Sequence, residues 1–157
     1  PFMNMIAAKA VAYEEALKDD FKDYSKQVVK NAKTLSSTIS SSGFRIVSGG
    51  TDNHQFTIDL SKNNLTGAEI SGLLRKTGII VNKNGIPYDS LPPKITSGIR
   101  IGTPALTSRG MKESQMEDLG NLIVDIINSR NDNKNLNKLS DNVKDLASGF
   151  KLPGVDY

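Results

Sequence analysis

Ser97-Gly98-Ile99-Arg100-Ile101-Gly102-Thr103-Pro104-Ala105-Leu106-Thr107-Ser108-Arg109-Gly110 holds a short strand followed at once by a helix start. Strand side chains alternate faces, so Ile99 and Ile101 point one way and Arg100 the other. Gly98 and Gly102 flank them and admit a close approach of backbone or ligand. An arginine presented this way suits a carboxylate or phosphate, which its planar five-donor fork grips at two points. The same spacing also describes an arginine on the wet face of an edge strand. Thr103 reads as an N-cap with Pro104 at the first helical position. A helix N-terminus beside the arginine strand adds a positive end, a second reason to expect an anion.

The chain has 157 residues, 37% hydrophobic and 24% charged, enough for one domain with a real core. It has no cysteine, which excludes disulfides and thiolate metal sites. No apolar run approaches the ~20 residues that cross a bilayer. The first helical segment carries Lys9, Glu14 and Glu15 and lacks the apolar stretch of a signal peptide, so a cytoplasmic protein without membrane contact is expected. The chain opens at Pro1 directly on a helical pattern, which reads as a fragment of a longer protein. The net charge of +3 is unevenly placed. Residues 43–110 carry eight basic residues against four acids, whereas residues 111–157 carry six against eight. The excess falls on the arginine stretch and favours an anionic ligand there. Nucleic acid fits less well, because the basic residues are scattered and the nine aromatics form no stacking platform.

Outward from that stretch, residues 2–17 read as a helix with an apolar stripe of Phe2, Ile6, Ala10, Tyr13 and Leu17. Ala7, Ala8 and Ala10 would let another surface pack closely. Asp20 is the expected N-cap of a second helix carrying Phe21, Tyr24, Val28, Ala32, Leu35 and Ile39 and stopping at Gly43. Phe44–Val47 and His54–Leu60 read as an antiparallel strand pair joined by a turn, with Phe56, Ile58 and Leu60 on one face. His54, the sole histidine, has no partner for metal binding and reads as structural. Thr66 and Glu69 form a capping box opening a helix with Ile70, Leu73 and Leu74 inward, ending at Gly78. Ile79-Ile80-Val81 reads as a short buried strand and residues 82–94 as a long, ordered loop. Residues 113–129 form an amphipathic helix with Met116, Leu119, Leu122, Ile123, Ile126 and Ile127. After a polar linker, Leu136, Leu139, Val143 and Leu146 mark a last helix, and Gly149–Tyr157 a short tail. Helices first, then strands crossed by helices, predict an α+β domain: a mostly antiparallel sheet covered by helices.

Val81-Asn82-Lys83-Asn84-Gly85-Ile86-Pro87, Ser97-Gly98-Ile99-Arg100-Ile101-Gly102-Thr103-Pro104-Ala105, Thr107-Ser108-Arg109-Gly110 and Thr51-Asp52-Asn53-His54 together resemble the C-terminal portion of serine hydroxymethyltransferase, a pyridoxal-phosphate enzyme of one-carbon metabolism. Gln55 stands where that family more usually has an apolar residue. The resemblance implies the small domain of a fold-type-I pyridoxal-phosphate transferase, with residues 1–42 a helical segment leading to a large cofactor domain and residues 43–157 the C-terminal small α/β domain. It implies that Arg100 holds the carboxylate of serine or glycine, and that the grip orients the amino acid so that one chosen bond breaks. It implies that Asn84 contacts the folate, whereas the residues alone equally allow an asparagine that shapes its loop. Lys83 reads as solvated and Arg109 as a support of the Thr103–Gly110 turn. The family's cofactor lysine follows a histidine, but here His54 is followed by Gln55. No catalytic residue is therefore expected within this chain. It should hold no pyridoxal 5′-phosphate covalently and turn nothing over alone. The implied partners are serine or glycine, tetrahydrofolate, and a second copy in a homodimer or homotetramer. The alternative is a non-catalytic domain that binds small anions or amino acids.

Overall fold

Two helices lead residues 1–154, the part of the chain that the computed structural model describes: α1 (Met3–Ala16) and α2 (Asp19–Ser41). Val155, Asp156 and Tyr157, the end of the expected tail, lie outside the described residues. α1 forms where the alanine-rich pattern placed it, yet it buries none of its residues against this chain. α2 starts two residues earlier than expected. Lys18 stands at the cap position without a side-chain bond, and Asp19 and Asp20 both lie in the first turn, where they complement the helix dipole. Gly43 follows the helix in a left-handed conformation (φ +92°), as its reading as a terminator requires.

Asn31, 0% exposed, ties α2 to the rest of the fold. Its amide nitrogen donates to the Thr107 hydroxyl and to the Met111 carbonyl, both at 2.9 Å. Its oxygen accepts from Gln27 at 2.9 Å, and Gln27 in turn donates to Glu113 at 2.8 Å. Leu35 and Ile39, further along α2, are fully buried in the same core as the sheet.

The sheet has four strands, β1 (Arg45–Ile46), β2 (Gln55–Asp59), β3 (Asn82–Asn84) and β4 (Gly98–Gly102), in the order β1-β2-β4-β3. Every pairing is antiparallel. The fold is therefore the expected α+β arrangement, with Phe56, Ile58, Ile99 and Ile101 facing a core closed by α2, α3 (Gly67–Lys76) and α5 (Glu113–Asn128). The expected strand at Ile79–Val81 does not form. The Ile79 amide donates back to the Leu74 carbonyl at 2.8 Å, finishing the end of α3, and Ile80 is 79% exposed. The ladder starts three residues later, on Asn82-Lys83-Asn84, within the expected loop. An edge strand exchanges backbone bonds and needs no apolar side chain to do so. β4 is not an edge strand either, since it is paired on both sides.

Past β4, α4 (Pro104–Ser108) has its proline at the first position as expected. The Thr103 hydroxyl does not cap it but donates to the Val28 carbonyl of α2 at 2.8 Å. α6 (Asn133–Ser148) is capped by Asp132, which accepts from the Asn135 amide at 3.1 Å. Among the described residues no helix is long and apolar enough to cross a membrane.

α3 opens on half of the expected capping box: the Thr66 hydroxyl accepts from the Glu69 amide at 3.2 Å, and among the described residues no bond returns to the Glu69 side chain. Its first residue, Gly67, lies so close to β4 that an added Cβ would stand 2.2 Å from the Gly98 carbonyl oxygen and 2.2 Å from the Thr96 hydroxyl. Gly67→Ala is thus expected to push α3 off the sheet and cost about 1–3 kcal/mol or more, read as a lower urea midpoint with an unchanged slope.

Candidate functional site

Backbone pairing fixes where each polar side chain of the sheet stands. Arg100 lies between Thr57 on β2 and Asn82 on β3, and Gly98 lies between Asp59 and Asn84. Asn84 and Arg100 are consequently diagonal neighbours on one face, ~7–8 Å apart by the geometry of antiparallel pairs. Ile99 and Ile101 take the other face and are buried.

Arg100 and Asn84 line one cleft of about 550 Å³ between β3 and α3, together with Ser71, Arg75, Asn82 and Lys83. Arg75, Lys83 and Arg100 are among its lining residues and no carboxylate is, but Lys83, paired with Ile99, belongs to the other face of the sheet. Among the described residues, the Arg100 guanidinium meets no acid and no hydrogen-bond acceptor. Of the other arginines, Arg45 pairs with Asp59 and Arg109 donates to the Ala147 and Phe150 carbonyls at 2.6 Å each, while Arg75, in the cleft itself, has no ion-pair partner among the described residues. Arg109 is structural as read, but it closes the end of α6 rather than its own turn. Asn84 donates one N–H to the Gly85 carbonyl at 2.8 Å, which leaves its carbonyl oxygen and its other N–H free. Lys83 donates to the Lys94 carbonyl at 2.7 Å across the loop.

Two expectations need correction. α4 is only five residues long and none of its residues lines the cleft. Thr103 and Thr107 turn it toward α2, so its N-terminus supplies no positive end beside Arg100. His54 is exposed, and its part in the fold is played by its backbone carbonyl, which accepts from the Thr103 amide at 3.0 Å. Sequence reasoning passed over Arg75 and Ser71. A signal existed: Ala68, Ser71, Gly72 and Arg75 recur at helical spacing on the face opposite buried Ile70 and Leu74.

The loop between β3 and β4 is built on Asp89. Its carboxylate accepts from the Ile86, Leu91 and Ser97 amides at 3.2, 3.0 and 2.8 Å, and from the Ser97 hydroxyl at 2.6 Å. These bonds, the Ser97 hydroxyl foremost, stabilise the charged form and hold the carboxyl far below its ordinary value.

The family model for serine hydroxymethyltransferase matches residues 1–123 of this chain, a range that contains α1, the sheet and every residue of the cleft. The chain belongs to the serine hydroxymethyltransferase family. Two curated relatives, the serine hydroxymethyltransferases of Leptospira biflexa serovar Patoc strain Patoc 1 in its Ames and its Paris lines, are each 51% identical over 152 residues. The match takes in 97% of this chain but 36% of either relative, so the chain spans about a third of their length.

Pyridoxal phosphate, which the family resemblance implies, does not fit these residues taken alone. Such a site needs a lysine for the aldehyde and an acid or arginine at the pyridine nitrogen. The cleft has arginines, but its one lysine, Lys83, is paired with Ile99 on the other face of the sheet and bound to the Lys94 carbonyl, and the cleft offers no aromatic face.

Asp89 and Asp59 give the serine hydroxymethyltransferase fold a pH dependence of known sign. Burial pushes Asp59 up, but the Ser61 hydroxyl and amide and the Arg45 guanidinium outweigh it, and both acids end below their ordinary 3.8. Groups lowered on folding contribute stability above the unfolded value and lose it as pH falls through the folded one. The urea midpoint should be level from about pH 7 to pH 5 and fall below about pH 4, and Asp89→Asn should make that fall shallower.

Proposed function

We propose that this chain is the C-terminal part of an enzyme that interconverts serine plus tetrahydrofolate with glycine plus 5,10-methylenetetrahydrofolate, and that its own share of the work is done by Arg100 and Asn84. One observation carries this reading: Arg100 stands on an interior strand with a guanidinium uncommitted among the described residues, in a cleft that Arg75 also lines and no acid does. A bidentate grip on the amino acid's carboxylate uses the geometry of that fork, and a carboxylate supplies the countercharge the cleft lacks. Held at the carboxylate, the amino acid loses rotational freedom before any bond changes, and orientation selects the bond that reacts. The free carbonyl and N–H of Asn84 offer one acceptor and one donor to the edge of a folate's heterocycle. Its place diagonal to Arg100 would set folate beside amino acid.

Pyridoxal 5′-phosphate, the cofactor of the full-length protein in this reading, is held outside this chain, and no step assigned here runs through it. The chain alone is expected to turn over no serine. Residues 43–157 form the small domain in this reading, and residues 1–42 lead to the rest of the protein. The apolar residues of α1 stand exposed all round the helix, Met3, Met5, Ile6 and Val11 among them, which supports such a role. The full-length protein is read as a cytoplasmic homodimer or homotetramer.

In the full-length enzyme, Arg100→Ala should weaken serine binding by about 2–5 kcal/mol, tens- to thousands-fold in Kd. Arg100→Lys should lose nearly as much, because a point charge cannot reproduce the fork. Titration of serine against both variants checks this, and unchanged affinity in Arg100→Ala would refute the assignment.

A further inference from the structure

Asp89 lies midway along the loop that joins Asn84, the last residue of β3, to Gly98, the first of β4. Three of its four bonds reach across that loop's two limbs: Ile86 on the outgoing side, and the amide and hydroxyl of Ser97 on the returning side. Ser97 immediately precedes β4, so a single carboxylate clamps the exit of one strand to the entry of the other. Two non-glycine residues beside this clamp have left-handed backbones, Tyr88 (φ +58°) and Thr96 (φ +57°). Conformations of that kind persist only where surrounding contacts over-determine them. Here the contacts are those of Asp89, with the Thr96 carbonyl accepting from the Gly67 amide at 2.9 Å and its hydroxyl donating to the Gly98 carbonyl at 3.2 Å. Ile86 also packs against Gly98, where an added Cβ would lie 2.9 Å from its Cγ2.

We infer that Asp89 is a positioning residue: through Ser97 and Ile86 it fixes Asn84 relative to Arg100, and so sets the folate contact against the amino-acid contact. The inference rests on the reading of Asn84 and Arg100 given above. The two ends of that distance are not held equally. Arg100 sits mid-strand, paired on both sides, whereas Asn84 is the terminal residue of an edge strand and pairs with Gly98 alone. Loosening the loop therefore displaces Asn84 more than Arg100. Asp89→Asn loosens it in either amide orientation. Each carboxylate oxygen accepts from two donors, one of them at least a backbone N–H, so the new NH2 group always faces an amide it cannot accept from.

The test uses the full-length enzyme with its cofactor. Asp89→Asn should raise the KM for tetrahydrofolate about tenfold while serine Kd moves less than about threefold. Ser97→Ala removes only the hydroxyl bond and should raise the folate KM about threefold. In an Asn84→Ala background, Asp89→Asn should add nothing further, because a residue that acts through Asn84 has nothing left to position. A stability loss in Asp89→Asn with the folate KM unchanged would overturn the inference. So would full additivity with Asn84→Ala. If Asp89→Asn does not fold, an unchanged folate KM in Ser97→Ala is decisive against it. Failure of the underlying reading looks different: Asn84→Ala alone would leave the folate KM unchanged, or Arg100→Ala would leave serine affinity unchanged.

Discussion

Ile99 and Ile101 decide where Arg100 points. Both are buried, and each is worth about 1.5–3 kcal/mol when taken out of water. A register slip of one residue would exchange the faces, exposing both isoleucines and driving a guanidinium into the core. Burying an unpaired charge costs several kcal/mol more. Pairing with β2 on one side and β3 on the other closes the remaining freedom. Arg100 thus reaches its cleft without any bond of its own to hold it there. A functional cation that must stay available to a ligand is better placed by its neighbours' burial than by a partner that would compete with the ligand.

The surroundings serve the same end by close approach and by capture. Gly67 has no side chain where α3 meets β4, which lets the helix wall of the cleft stand directly against the strand that carries Arg100. Asn31 holds the segment after β4 against α2, satisfying the Met111 carbonyl and the Thr107 hydroxyl from a fully buried position. Loss of such a buried partner costs more than the bond itself contributes, because the groups left behind stay desolvated.

Much of this was legible in the sequence because it depends on period and punctuation. The alternation around Arg100, the Thr66 cap, Pro104 and the apolar stripe of α5 are each written in neighbouring residues. The errors share a different cause. β3 is three polar residues whose pairing is set by backbone bonds, so no hydrophobic period marks it, and apolar Ile79–Val81 drew the strand assignment instead. The role of α4's start was misjudged because its direction depends on a contact between Thr103 and Val28, 75 residues apart. Asp89 was passed over for the same reason: its principal partner, Ser97, lies eight residues on, beyond any capping or turn spacing. Arg75 shows the converse, since its helical spacing was readable but its meaning came only from the strand set beside it.

The cleft and α1 then have a common physical sense. Arg75 and Arg100 line one cleft with no carboxylate among its lining residues, and in water like charges a few ångströms apart repel modestly, by about 1 kcal/mol or less per pair. When part of the cleft is covered and water is excluded, the effective dielectric falls and the same repulsion grows several-fold. An anionic ligand then becomes the means of closing the cleft rather than a passenger in it. In the reading proposed above, the surface that covers it belongs to the rest of a longer protein; this chain spans 36% of its relatives' length and leaves the apolar residues of α1 exposed. Apolar burial and ligand charge would then reinforce each other. Covering the cleft strengthens the hold of Arg100 on an anion, and an anion on Arg100 removes the repulsion that opposes covering it.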